Sequence, residues 1–205
     1  GIRADVKVDL YIESTHVCSE QGELQLTNYG ISGIPVFQLS RVAARALSEQ
    51  KKVYATLNFV PLWEKEQCLT YFKERFKKAD EKRIGEALIG FFPEKLIPVL
   101  LEESHIKAAK YANRLQTEEL ERFIDTVQGL RVDITDWNTF DTAQVTAGGV
   151  DTDEIDAETM ESKLCPGLYF AGEMVDIDGI CGGYNLQWAW SSGAVAGIHV
   201  ARELS

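Results

Sequence analysis

Gly167-Leu-Tyr-Phe-Ala-Gly-Glu173, then Met174 to Ile180, then Cys181-Gly-Gly-Tyr-Asn-Leu-Gln-Trp-Ala-Trp-Ser-Ser-Gly193-Ala-Val-Ala-Gly197 is the stretch around which the rest of the chain is read. Leu168 to Ala171 is a short apolar run between Pro166-Gly167 and Gly172, which predicts a strand buried on both faces. A glycine-rich loop follows, and then a helix from about Tyr184 to Leu204. Ser191, Ser192, Gly193, Ala194, Ala196 and Gly197 crowd small side chains into its middle. A glycine inside a helix costs about 1 kcal/mol relative to alanine. Two of them imply close approach of another backbone or of a flat ligand, with Trp188 and Trp190 supplying bulk on other faces. Gly182 and Gly183 leave backbone N–H groups uncovered at the helix start, where the partial positive charge of the dipole suits an electron-rich ligand edge.

Upstream, the periodicity changes twice. Val6, Val8, Leu10 and Ile12 alternate with charged residues, which predicts a half-buried antiparallel strand over Ile2 to Ile12. Thr15 to Ser19 and Glu23 to Thr27 predict a hairpin that turns through Glu20-Gln-Gly22. Val53, Ala55, Leu57 and Phe59 predict a further strand. Gly30-Ile-Ser-Gly-Ile-Pro35 opens a helix with apolar positions Val36, Leu39, Ala43, Ala46 and Leu47 and with Ser32 or Gly33 at its cap. That helix start either faces a bound anion or is simply a tight cap.

Residues 62 to about 128 read as helical. Leu69, Phe72 and Phe76 line one helix, and Ile84, Ala87, Leu88 and Phe91 line a second. The third runs from Glu118 to Gln128 with Thr117 as cap, a Leu120, Phe123, Ile124, Val127 stripe and Gly129 at its end. Leu130, Val132 and Ile134 restore strand alternation, so the helices form an excursion between strands of one sheet. Ala143 to Val150, with Thr-Ala-Gly-Gly, predicts a strand ending where backbone approaches something closely.

Composition narrows the function. A net charge of −11 on 205 residues opposes a phosphate backbone, so no nucleic-acid partner is expected. No run approaches a membrane span. The four cysteines are widely spaced with no C-x-x-C pair, which argues against zinc and against a disulfide framework and suits a reducing cytoplasm. The chain starts at Gly1, shows no signal peptide and reads as an excised or processed piece.

Six segments resemble, in order, BaiN-like flavoproteins, also described as aminoacetone-oxidase-like NAD(P)/FAD-dependent oxidoreductases. They are Gly30-Ile-Ser-Gly-Ile-Pro35, Val145-Thr-Ala-Gly-Gly149, Thr159-Met-Glu-Ser-Lys163, Phe170-Ala-Gly-Glu173, Asp176-Ile-Asp-Gly179 and the twelve residues Gly182 to Gly193. The resemblance implies that Gly172 and Glu173 lie by the ribityl and pyrophosphate part of FAD, and that the backbone of Gly182, Gly183, Tyr184 and Asn185 faces the flavin's pyrimidine edge. A helix N-terminus there stabilises anionic reduced flavin.

The same resemblance covers only the family's second half, because no G-x-G-x-x-G turn is present to hold the ADP portion. The implied fold class is α+β. Residues 1–140 form an antiparallel or mixed-sheet cap and substrate domain, and 141–205 an incomplete α/β, Rossmann-type FAD-binding segment. The implied activity is hydride transfer between FAD and NAD(P)H or a small organic substrate. The alternative is a non-catalytic folded fragment that binds no FAD without the missing half.

No catalytic residue is assigned. Cys181, Tyr184, Asn185 and Asp176 are candidates beside the flavin, each with an ordinary loop or capping role as the alternative. His16, His105 and His199 are expected to be bystanders. Thr27-Asn28 stands where many relatives read Thr-His, which removes one candidate base.

Overall fold

The computed structural model describes residues 1–203, so the last residue of the expected helix, Leu204, lies outside the described residues. The chain divides into two compact units, Gly1–Asp136 and a second that begins at Trp137.

The first unit is an α+β fold on a five-stranded, wholly antiparallel sheet. In chain order it contains β1 (Ile2–Ile12), β2 (Thr15–Leu26), β3 (Ile31–Gly33), α1 (Ile34–Ser48), β4 (Val53–Asn58), α2 (Lys65–Lys77), α3 (Ile84–Leu88), α4 (Ile97–Glu103), α5 (Thr117–Gly129) and β5 (Leu130–Ile134). The strand order is β3-β2-β1-β4-β5. Register puts Val8 opposite Leu57, Leu10 opposite Ala55, and Ala55 opposite Val132, so the even positions of β1 and the odd positions of β4 share one face. That face is buried, and α1 and α5 pack on it. The other face carries Lys7, Asp9 and Tyr11, with Tyr11 stacked on Tyr54 at 4.8 Å and the Arg131 guanidinium 3.8 Å from the Tyr54 ring centre.

The hairpin is not where residues 20–22 suggest. Thr15 to Leu26 is one strand paired along β1, with Glu20, Gln21 and Gly22 opposite Val8, Lys7 and Val6. The chain reverses instead at Glu13 and Ser14, whose φ values of 48° and 70° are those of a two-residue hairpin turn. Neither residue is glycine or asparagine, so the turn carried no composition signal. Gly33 is the cap of α1, with φ 105° and Pro35 in the first turn. A side chain there would meet the Glu23 carbonyl at 2.4 Å, because β3 pairs with β2 at that residue.

Between β4 and β5 the chain is helical, and residues 62–128 contain only isolated bridges beside their helices. The α2 stripe is Cys68, Phe72 and Phe76, starting at Cys68 instead of the expected Leu69, which is only partly buried. Phe91 lies beyond the end of α3 and stacks edge-on with Phe72 at 4.8 Å. The cap of α5 is Gln116, not Thr117. Glu119 accepts the Gln116 N–H at 2.8 Å and the Lys110 ammonium at 2.7 Å. The Lys110 hydrogen bond first, and the Gln116 N–H second, hold the Glu119 carboxyl below its usual value of 4.5.

A carboxyl with a depressed folded-state pKa contributes stability that is fully present above its unfolded value and lost as pH falls through its folded value. Glu119→Gln is therefore expected to cost about 1 kcal/mol at pH 7 and less at about pH 3, once the pH has fallen below the ordinary value of 4.5. Urea unfolding at the two pH values checks this, and an equal cost at both would refute it.

Candidate functional site

The predicted site residues all fall in the second unit, where the core is small. Ile155, Met160, Val175 and Ala196 are buried, with Val150, Tyr169, Phe170, Trp188 and Val195 packed around them. Its one long element is α6 (Tyr184–Glu203).

Two expected strands are absent among the described residues of this unit. Leu168 to Ala171 forms bridges rather than a strand: Tyr169 pairs with Glu161, Ser162 donates its N–H to the Leu168 carbonyl at 2.7 Å, and Phe170 donates to Met160 at 3.0 Å. Leu168 is 44% exposed. An apolar run becomes a doubly buried strand only when neighbouring strands flank it, and here its partner is the turn at 159–163. That partnership gives Thr159-Met-Glu-Ser-Lys163 the structural role that the sequence left blank.

Val145 to Val150 likewise ends in a single parallel bridge. Val150 donates to the Met174 carbonyl at 2.8 Å, and Asp176 donates back to Val150 at 2.9 Å. A Cβ on Gly149 would stand 2.5 Å from the Met174 oxygen, so the close approach foreseen at Thr-Ala-Gly-Gly is made to the chain's own backbone.

That bridge leads into a 3-10 turn, Gly172–Met174. Gly172 is buried with φ 69°. Its N–H donates to the Ser192 hydroxyl at 2.9 Å, and its carbonyl accepts the Trp188 indole N–H at 3.0 Å. Glu173 is exposed, and one carboxylate oxygen accepts the Thr146 N–H at 2.6 Å.

The loop then runs to Gly182 and Gly183, with φ 130° and 93°, and α6 starts at Tyr184. The Asn185 side chain holds both polar groups of Gly179, accepting its N–H at 2.7 Å and donating to its carbonyl at 3.1 Å. Asn185 is thereby occupied as a loop staple. Tyr184 is exposed, and a Cβ on Gly183 would meet nothing within 4 Å.

The structure thus ties Gly172 and Glu173 to α6 and places Gly182, Gly183, Tyr184 and Asn185 at its N-terminus. The first-turn amides of a helix have no partner within it; Gly183 opens on empty space, while the Tyr184 ring lies 3.6 Å from where a Cβ on Gly182 would stand. Ser192 and Trp188 were missed as contributors; a serine four residues after a tryptophan inside a helix was the available signal. His16 and His105 belong to the first unit, where His16 bonds Ser19 on the sheet at 2.9 Å and His105 is exposed with φ 56°, and His199 lies late in α6. All four cysteines are thiols. Among the described residues no His, Cys, Asp and Glu group could hold a metal, and no helix is long and apolar enough to cross a membrane.

The profile described as "HI0933-like protein Rossmann domain" matches residues 14–199. The chain belongs to this HI0933-like family. It is 45% identical over 197 residues to the 3-dehydro-bile acid delta(4,6)-reductase of Clostridium scindens, covering 96% of this chain and 48% of that protein. It is 30% identical over 198 residues to a ribosomal RNA dihydrouridine synthase of Haemophilus influenzae, covering 96% and 47%. A ribosomal RNA dihydrouridine synthase of Escherichia coli is 31% identical over 191 residues, with 93% and 45% covered. The HI0933-like chain therefore spans about half the length of the curated relatives it matches.

Proposed function

We propose that these 205 residues are the cap and C-terminal half of an FAD-dependent oxidoreductase. Residues 1–140 serve as the inserted cap and substrate domain, and 141–205 as the C-terminal part of the FAD-binding domain. The observation that carries this reading is the α6 N-terminus, where Gly182 and Gly183 hold positive φ and a side chain at Gly183 would project into open space. Residues that must be glycine for backbone reasons, and that leave a helix start uncovered, suit the electron-rich edge of a flat ring.

The fit is to an edge of the cofactor. The glycine turn that would hold its ADP portion is not in this sequence. When bound, the flavin supplies a hydride acceptor and donor. The chain's contribution is to aim the amides of Gly182, Gly183, Tyr184 and Asn185 at the N1 and C2 carbonyl edge, and to bring the Gly172–Glu173 turn beside the ribityl chain. Asn185 keeps the loop closed through Gly179, and Tyr184 is exposed at the start of α6, where it would be open to a substrate.

The hydride partner is NAD(P)H or a small organic molecule. The relatives' names describe a reductase and the making of a dihydro product, which favours addition of hydrogen to an unsaturated ring. The charge of −11 favours a small molecule over RNA. The four thiols and the absence of paired cysteines favour a cytoplasmic setting.

The test is absorbance. The purified 205-residue chain is expected to be colourless or to lose flavin on gel filtration, because the pyrophosphate and adenosine contacts lie on the other half. The full-length protein is expected to be yellow, with flavin bands that bleach under NAD(P)H. A colourless full-length protein that does not take up FAD would overturn the flavin reading and leave the alternative of a non-catalytic module. Submicromolar FAD affinity in the 205 residues alone would overturn the assignment of the missing half.

A further inference from the structure

On one side the turn that carries Glu173 is held by the Val150 bridge, through Met174 and Asp176, and by the Thr146 N–H on Glu173 itself. Among its described residues the second unit has a core cluster of four buried apolar side chains and no strand longer than a single bridge. What connects this turn to α6 is a pair of side chains on consecutive turns of the helix. Ser192, 2% exposed, accepts the Gly172 N–H at 2.9 Å and donates its own proton to the Trp188 carbonyl at 2.7 Å. Trp188 donates its indole N–H to the Gly172 carbonyl at 3.0 Å, an oxygen that also accepts the Val175 N–H at 3.2 Å. Both backbone polar groups of one buried residue, Gly172, are thus held by α6. Glycine suits this position through its φ of 69°, since an added Cβ would make only ordinary contact with Ala189 at 3.6 Å.

Trp188 and Ser192 follow Tyr184 by four and eight residues, which places their anchors about 6 and 12 Å along the helix from its start. The clamp therefore sets the position of Glu173 relative to the amides of Gly182 and Gly183. Two parts of the molecule that must address one ligand are held in register by α6 itself.

We propose that Trp188 and Ser192 are positioning residues for the flavin: they do not touch it, and they hold the Gly172–Glu173 turn at the spacing from the α6 N-terminus that a bound flavin requires. This rests on the flavin reading of the site. Without the Ser192 hydroxyl the Gly172 N–H is buried with no acceptor, and the turn relieves that cost by moving, which carries Glu173 away from its place.

The experiment uses the full-length protein and three variants, Ser192→Ala, Ser192→Thr and Trp188→Phe, with FAD titration, a redox titration and thermal unfolding for each. Ser192→Ala is expected to weaken FAD about tenfold, the effect of one lost buried hydrogen bond, and to shift the flavin potential. Hydrogen exchange at the Gly172 amide should accelerate in the same variant. Ser192→Thr keeps the hydroxyl and should restore both affinity and potential, while Trp188→Phe should resemble Ser192→Ala. If the wild type binds FAD and Ser192→Ala matches it in affinity and potential, the positioning role is wrong and the flavin site stands. If affinity falls only in step with melting temperature while the potential stays constant, the two residues are merely structural and the proposal is again overturned. A wild type that binds no FAD removes the flavin reading and this proposal together.

Discussion

Gly183→Val in the full-length protein is expected to slow anaerobic flavin reduction by roughly a hundredfold or more and to lower the flavin's reduction potential. The argument begins with empty space. A Cβ at this position meets no protein atom within 4 Å, so the added bulk acts on whatever occupies that space. If a flavin edge lies there, a valine pushes it from the α6 amides and removes a hydrogen bond to charge that develops during reduction. One such preorganised donor is worth about 2.7–4 kcal/mol in the transition state, which corresponds to about a hundredfold to a thousandfold in rate. The φ of 93° adds local strain, because a β-branched residue avoids it. Gly183→Ala serves as the control with less bulk and is expected to fall between wild type and valine. Cys181→Ser should change the rate far less, since that side chain is assigned no redox role. Stopped-flow reduction beside a redox titration decides the matter: wild-type rates in Gly183→Val would displace the flavin from this helix, and a dead Cys181→Ser would restore the thiol to the chemistry.

Phe72→Ala should remove about 3–5 kcal/mol from the stability of the first unit. Phe72 is fully buried and meets Phe76, Phe91, Phe92 and Phe123 at centroid distances from 4.8 to 6.0 Å. Truncation leaves a cavity walled by rings on α2 and α5 and on the segment after α3. Rigid rings collapse poorly into such a space, which puts the cost toward the top of the range. Urea unfolding followed by the α-helical signal measures it, and a loss below about 1 kcal/mol would mean that the rings repack freely. Because Phe72 belongs to Gly1–Asp136 and the α6 residues do not, the two variants separate stability from cofactor chemistry.

How much of this was legible beforehand differs between the two units. In the first, β1, β4, α5 and β5 were readable within a residue or two because each has a strict period and buries a face, as Val6, Val8 and Leu10 do along β1. The hairpin was misplaced because Glu20-Gln-Gly22 has turn-like composition inside a strand, while Glu13-Ser14 turns without glycine. Pairing along β1 outweighed local composition there. The α2 stripe keeps the expected Phe72 and Phe76 but starts at Cys68 instead of Leu69, because both are apolar and the position of α5 and the Gln128 amide turns Cys68 inward.

In the second unit, composition marked the important residues and misjudged their surroundings. Glycines at 149, 172, 182 and 183 all have positive φ, and their clustering was visible in the letters. What each glycine serves was not visible. Gly149 admits the Met174 carbonyl, Gly172 supplies the positive φ of its turn, and a Cβ on Gly183 would meet nothing within 4 Å. The sequence by itself determined that the chain is α+β, that a helical block interrupts its sheet, and that a glycine-rich helix start is its distinctive feature, because periodicity and backbone freedom are local properties. Only the tertiary structure decided which strands form, which residue caps α5, that Asn185 is a staple, and that Ser192 and Trp188 hold the Glu173 turn. Those depend on which donor and acceptor meet in the folded chain, six residues apart for Asn185 and Gly179 and sixteen and twenty for the contacts of Gly172 with Trp188 and Ser192, and no hydrophobic period records such meetings.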